Sequence, residues 1–247
     1  MQKSPDLSAG LKRSKRKNVK IEIIPAILSK TASDYHKKFK AIEPFTEWIQ
    51  VDIVDNKFAR NLTVGPKEVA SFRTLKKLEI QLMVDFIEDW IDPFVEIAPK
   101  ANIKRIIVPY ETARDPIGIV NHVRRHGIQI GFSINPDTPT SILQHVIDKA
   151  DTVLLLSVYP GFSGQHFVYG VLKKIEELRQ MRPDVVIEID GGIEPGTARK
   201  CAEVGANMLA AGSFIFENDT IKAETYQEKV KRALEILKKD VETILPA

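Results

Sequence analysis

The sequence predicts an α/β protein folded as a single (β/α)8 TIM barrel. Three observations carry that expectation. Eight short apolar runs rich in β-branched residues lie along the chain, helical-period segments separate them, and the runs recur every 25 to 30 residues or so, roughly one strand-helix unit each. Strict alternation requires parallel strands joined by right-handed crossovers. An open doubly wound sheet also alternates, but eight runs with no Gly-x-Gly-x-x-Gly after the first favour closure. The length of 247 residues suits one such barrel, which typically takes about 250.

The runs read as strands are 21–28, 47–54, 78–84, 104–110, 128–134, 152–158, 185–190 and 207–212. Helix starts carry N-terminal signals: Thr31 and Ser33 before the first helix, Asp115-Pro116 before the fourth, Glu194-Pro195 before the seventh. Each strand is expected to be followed by a helix. In 170–181, Val171, Leu172, Ile175 and Leu178 share one face. The last helical segment, about 221–243, puts Ala233, Leu234, Leu237 and Val241 on its buried stripe. No linker divides the pattern, so residues 21–247 form the barrel domain behind a flexible basic leader, residues 1–20.

Composition narrows the class. An apolar share of 43% and a charged share of 28% exclude collagen-like, coiled-coil and broadly disordered chains. No apolar run approaches the ~18 to 20 residues of a membrane span. The single cysteine, Cys201, excludes an internal disulfide and a cysteine-based zinc cluster, and cytoplasm is the expected compartment. The net charge of +3 is uneven: the leader holds seven Lys/Arg against one Asp, leaving a mildly acidic body. Lys12, Arg13, Lys15, Arg16 and Lys17 make residues 12–17 the one candidate contact with nucleic acid or an anionic surface. A solvated leader is the plainer reading.

Side chains alternate across a strand, so every second residue points into a barrel. With Ile49, Val51 and Ile53 facing the helices, Gln50, Asp52 and Val54 turn inward. Likewise Gln81 and Met83 turn inward from the third strand, and Glu188 and Asp190 from the seventh. Ser133 and Asn135 are expected inward at the end of the fifth, and Ser157 at the end of the sixth. Barrel interiors are normally filled with branched apolar residues, and catalytic groups sit at the C-terminal strand ends. Asp52 and Asp190 stand on nearly opposite strands. Two carboxylates facing one cavity suit proton removal beside a carbonyl and proton return on the other face, provided their pKa values diverge.

Three consecutive strand ends lead into glycine-containing loops: Pro160-Gly161-Phe162-Ser163-Gly164-Gln165, Asp190-Gly191-Gly192-Ile193 and Ala211-Gly212-Ser213. Glycine lets backbone N–H groups approach an anion closely, and following helices add their positive ends. The candidate phosphate-binding residues are therefore Gly161, Phe162, Ser163, Gly164, Gly191, Gly192, Gly212 and Ser213.

These stretches resemble the ribulose-phosphate 3-epimerases. The resemblance runs from Ile21 to about Phe216. It rests on Val51-Asp52-Ile53-Val54-Asp55, Asn61-Leu62-Thr63-Val64-Gly65, Gln81-Leu82-Met83-Val84 and Asn135-Pro136-Asp137-Thr138-Pro139. Its strongest parts are Ser157 through Phe167 and Asp190-Gly191-Gly192-Ile193. The resemblance implies a barrel of the ribulose-phosphate-binding type that interconverts D-ribulose 5-phosphate and D-xylulose 5-phosphate, with Asp52 and Asp190 as acid and base. Gln50, Gln81, Met83, Asn135 and Ser157 would then contact substrate, and a homo-oligomer is implied.

Four positions depart from the family pattern. Gln50 and Gln81 stand where the family has two metal-binding histidines, Ala26 where it has a serine, and Pro109 where a histidine is usual. The family's metal is held by those histidines and the two aspartates. Amide oxygen is a poor substitute for imidazole at zinc; an all-oxygen set suits a hard divalent cation. Alternatively, the Gln N–H groups would meet the enediolate oxygen as an oxyanion hole does. A non-catalytic sugar-phosphate sensor is the competing class of function. A lyase or decarboxylase on the same barrel, assisted by Lys57 or Glu111, is another, although no inward lysine at a strand end offers a Schiff base.

Overall fold

The computed structural model describes residues 21–162 and 164–242. The expected basic leader and Ser163 lie outside the described residues. Eight parallel strands close into a barrel: β1 (Glu22–Ile27), β2 (Trp48–Val54), β3 (Lys77–Met83), β4 (Ile103–Pro109), β5 (Gln129–Ile134), β6 (Thr152–Leu156), β7 (Val186–Asp190) and β8 (Met208–Ala211). Pairing runs in chain order, and β8 closes on β1 through Leu209 opposite Ile23. Around the strands lie α1 (Ala32–Ile42), α2 (Pro66–Val69), α3 (Glu88–Ala101), α4 (Pro116–Arg125), α5 (Val171–Met181), α6 (Thr197–Val204), α7 (Ser213–Phe216) and α8 (Tyr226–Glu242).

Alternation builds two cores. Ile49, Val51 and Ile53 of β2 join Ile80 and Leu82, Ile130 and Phe132, Val153 and Leu155, and Ile187 and Ile189 in the layer beneath the helices. Inside the barrel, Ile107, Leu154 and Leu156 pack together, and Val54, Met83 and Ala59 form a separate cluster near the mouth. Caps read from sequence are in place at two helices. Thr31 Oγ1 accepts from the Asp34 N–H at α1, and Asp115 Oδ1 accepts from the Gly118 N–H at α4.

Four features differ from the sequence reading. The β5–β6 crossover contains no α-helix, only 3-10 turns at Thr140–His145 and Ile147–Lys149. That stretch is short and opens with Pro136 and Pro139, which remove backbone donors. At α6, Gly196 with φ 93° turns the chain, so the helix starts at Thr197 rather than next to Pro195. The final helix begins at Tyr226, and the separate short helix α7 directly follows β8. Lastly, β6 ends at Leu156, which takes the inward position expected of Ser157.

Beneath the mouth, the barrel floor is charged. Arg105 Nη1 lies 2.6 Å from Glu79 Oε2 and 3.5 Å from Glu188 Oε2, with the guanidinium 4.6 Å from the Trp48 ring centre. Both glutamates are fully buried. Burial, reinforced by the Glu79 charge, pushes the Glu188 carboxyl well above the usual range. One cation between two buried acids leaves a proton as the remaining means of balance.

Candidate active site

Asp52 and Asp190, on β2 and β7, both line a single cleft at the C-terminal ends of the strands. The cleft is open to solvent with a cavity volume of about 60 Å³, and Ala26, Met83, Leu156 and Val158 contribute apolar wall. Burial raises the Asp52 pKa to about 6; the Gln50 hydrogen bond opposes the rise, and the Glu79 charge adds to it. Asp190 is pushed well above the carboxylate range by burial first and then by the charge of Asp52. The amides of Gln81 and Gln50 only partly offset this. Burial thus raises both acids, and the charge of Asp52 raises Asp190 further, which is the direction of divergence that acid–base work requires.

One layer below, Gln50 Nε2 donates to Asp52 Oδ1 at 2.7 Å and to Gln81 Oε1 at 2.5 Å. Both glutamines are fully buried. Gln50 thus presents N–H groups, not a lone pair, toward Asp52. A metal ion between those two residues would meet hydrogen atoms. None of His36, His122, His126, His145 and His166 lines the cleft. Among the described residues, no group of three His, Cys, Asp or Glu side chains is arranged to hold a metal ion. The donor set does not fit zinc, which favours imidazole and thiolate.

The glycine loops form the other half of the cleft. Gly161, Phe162, Gly164, Gly191, Gly192, Gly212 and Ser213 all line it. At Gly191, φ is 111° and an added Cβ would lie 2.4 Å from Val158 Cγ2, so only glycine fits. Ser213 opens the four-residue α7, where the N–H groups of Ile215 and Phe216 donate to the Gly212 carbonyl.

Of the residues expected at the substrate, Met83 lines the cleft, Gln50 and Gln81 lie buried beneath it, and Ser157 and Asn135 also fall outside its lining. Ser157 does not line the cleft; its Oγ donates to the carbonyls of Gly191 at 2.6 Å and Asp190 at 3.0 Å, tying the loop after β6 to the end of β7. The alternation gives the reason: Leu154 and Leu156 point into the barrel and Val153 and Leu155 away from it, so Ser157 falls on the outward side. Asn135 also lies outside the cleft lining, and its Oδ1 is buried without a donor. Its backbone N–H donates to Glu111, and Lys174 Nζ donates to its carbonyl. Lys57 rests over the Phe86 ring on the outer rim.

Sequence reasoning missed Asn61 and Gln165. The buried Asn61 Nδ2 donates to the Gly161 carbonyl, and Gln165 Nε2 donates to the carbonyls of Tyr159 and Phe162. Both residues lie inside the motifs that carry the resemblance, but their hydrogen bonds bridge segments that no local pattern connects.

A profile described as the ribulose-phosphate 3 epimerase family matches residues 22–216, which is most of the chain. The chain belongs to the ribulose-phosphate 3-epimerase family. Ribulose-phosphate 3-epimerase of Rhodobacter capsulatus is 35% identical over 216 residues, covering 85% of this chain and 92% of its own length. The Bacillus subtilis ribulose-phosphate 3-epimerase is 34% identical, with 82% and 96% covered. Among solved structures, a tryptophan synthase complex from Pyrococcus furiosus aligns with a TM-score of 0.65 at 16% identity, covering 87% of this chain and 97% of that one. Thiamine phosphate pyrophosphorylase from the same organism aligns with a TM-score of 0.60 at 19% identity, covering 92% and 98%. Those two likenesses concern the barrel alone. Among the described residues, no helix is long and apolar enough to cross a membrane.

Proposed function

We propose that this protein is a sugar-phosphate 3-epimerase, acting on the D-ribulose 5-phosphate and D-xylulose 5-phosphate pair or a closely related ketose phosphate. The observation that carries the reading is the pairing of Asp52 and Asp190 in one cleft with the glycine loops. Family membership supports the substrate class. A phosphate seated on Gly161 to Gly164, Gly191–Gly192 and Gly212–Ser213 would anchor the sugar, with its C3 between the two carboxyls. The reading includes carbohydrate metabolism as the setting and a homo-oligomer as the assembly.

The residues act as follows. Ionised Asp52 takes the C3 proton, and the C–H electron pair becomes the C2–C3 double bond of an enediolate. Protonated Asp190 then delivers its proton to the opposite face, inverting C3. The two acids end with exchanged protonation, ready for the reverse reaction. Buried Met83 and Leu156 keep the neighbourhood apolar, which favours divergent pKa values.

The histidine-to-glutamine changes favour a second reading, a sugar-phosphate binder without turnover. Coupled epimerisation assays on both pentose phosphates separate the two. Interconversion that disappears in Asp52→Asn and Asp190→Asn supports the enzyme. Saturable binding of the same sugars with no conversion by the wild-type protein supports the binder.

A further inference from the structure

The two amides beneath the acid pair form a hydrogen-bond chain that runs in one direction. An ionised carboxylate only accepts, so the end of Gln50 facing Asp52 Oδ1 at 2.7 Å must be its NH2 group. The second N–H of that nitrogen goes to Gln81 Oε1 at 2.5 Å. This fixes the orientation of Gln81 as well. Its NH2 group becomes the end of the chain, buried and without a well-formed hydrogen bond. The acceptor within its reach is the Asp190 carboxyl, whose charged form the Gln81 amide favours as a hydrogen-bond donor. A buried donor without a well-formed bond is rare and can still take up a stronger acceptor.

We propose that Gln81, oriented by Gln50, is a catalytic residue that donates an N–H to the enediolate oxygen, replacing the metal that this donor set does not fit. The inference rests on the epimerase reading above. When the carboxylate takes the C3 proton, the C–H pair forms the C2–C3 double bond and the carbonyl π pair moves onto O2. Gln81 hydrogen-bonds that developing anion and is itself unchanged. When the opposite carboxyl returns a proton to C3, the O2 pair re-forms the carbonyl. Gln50 is a positioning residue, because both its N–H groups are already committed.

The test compares wild type, Gln81→Leu, the near-isosteric Gln81→Glu, Gln50→Leu and the double variant Gln50→His/Gln81→His. Epimerisation of D-ribulose 5-phosphate is measured with chelator present, together with inorganic phosphate affinity and metal content by elemental analysis. Loss of one such donor lowers kcat by about a hundred- to a thousand-fold, so both Gln81 variants should fall in that range. Their KM and phosphate affinity should stay within about two-fold, which a folding defect would not allow. Gln50→Leu should lose less. The double histidine variant should acquire zinc and a chelator-sensitive rate, whereas wild type is metal-free and insensitive. Wild-type turnover with unchanged kcat in Gln81→Leu overturns the inference alone, as does an active wild type that loses turnover when a bound metal is removed. A wild type that binds phosphate yet converts no ketose phosphate overturns both readings.

Discussion

The side chain of Asn61 donates to the backbone carbonyl of Gly161 at 2.6 Å, joining the loop after β2 to the loop after β6 across the rim of the barrel. One of those loops follows the strand that carries Asp52, and the other lines the proposed phosphate seat. Gly161 holds φ 125° there, and an added Cβ would lie 3.2 Å from Ala59 Cβ.

Removing that link should loosen substrate binding before it affects the chemistry. Asn61→Ala is expected to raise KM for a ketose phosphate about ten-fold, equivalent to about 1.4 kcal/mol, with kcat changed by less than three-fold or so. Steady-state kinetics checks this directly. A fall in kcat at unchanged KM would assign Asn61 to the chemical step instead.

The acid pair should impose a bell on the pH–rate profile. Asp52 must be ionised, so kcat/KM should fall below about pH 6. Asp190 must hold its proton, and its raised pKa places the alkaline fall at higher pH. A flat profile between pH 5 and 8 would contradict the assignment.

The raised pKa values of the pair also predict a stability effect. Both carboxyls have folded-state pKa values above their unfolded values, so their contribution is fully present below about pH 4 and is lost as pH rises through the folded values. A ten-fold difference in proton affinity between the folded and unfolded chain corresponds to about 1.4 kcal/mol. Asp190→Asn should therefore be inactive yet melt higher than wild type at pH 8, with a smaller gain at pH 5. Calorimetry at both pH values provides the check, and a variant less stable at pH 8 would refute it.

Gly191 allows a sharp backbone test. Gly191→Ala must place a Cβ against Val158 at a φ that side chains rarely adopt. The expected cost is at least about 2 kcal/mol of stability, with loss of phosphate binding. Denaturant unfolding measures the first and competition by inorganic phosphate the second.

The floor of the barrel should depend on the cation at its centre. Arg105→Met leaves Glu79 and Glu188 buried together without that positive partner, at an expected cost of about 3–5 kcal/mol. Replacing all three by apolar residues should recover much of that loss. A single variant as stable as wild type would show that the cluster carries no such charge balance.

The strands and the inward register of Gln50, Asp52, Gln81, Met83, Glu188 and Asp190 were legible because period-two alternation is a local pattern. The glycine loops were legible as turns with special backbone needs. Ser157 was misplaced because in the all-apolar run Val153–Leu156 hydrophobicity does not tell the inward face from the outward one, and the inward pair is Leu154 and Leu156. The helix expected between β5 and β6 failed because apolar spacing does not distinguish an α-helix from successive 3-10 turns in a proline-bearing stretch. Arg105 and Glu79 escaped notice because charged residues near strand starts read as solvent-facing until closure brings them together. The direction of the Gln50–Gln81 chain depends on contacts across β2 and β3, which sequence spacing does not encode.

In the proposed mechanism two carboxyls work from opposite faces of one sugar carbon. Its most direct test is single-turnover epimerisation of D-ribulose 5-phosphate in deuterated water, with chelator present and C3 deuterium read by mass spectrometry. The expected result is D-xylulose 5-phosphate bearing solvent deuterium at C3, early recovered substrate still carrying protium, and no turnover when either aspartate is changed to Asn. Product that retains the substrate's own C3 hydrogen, or turnover that survives loss of Asp190, would contradict it.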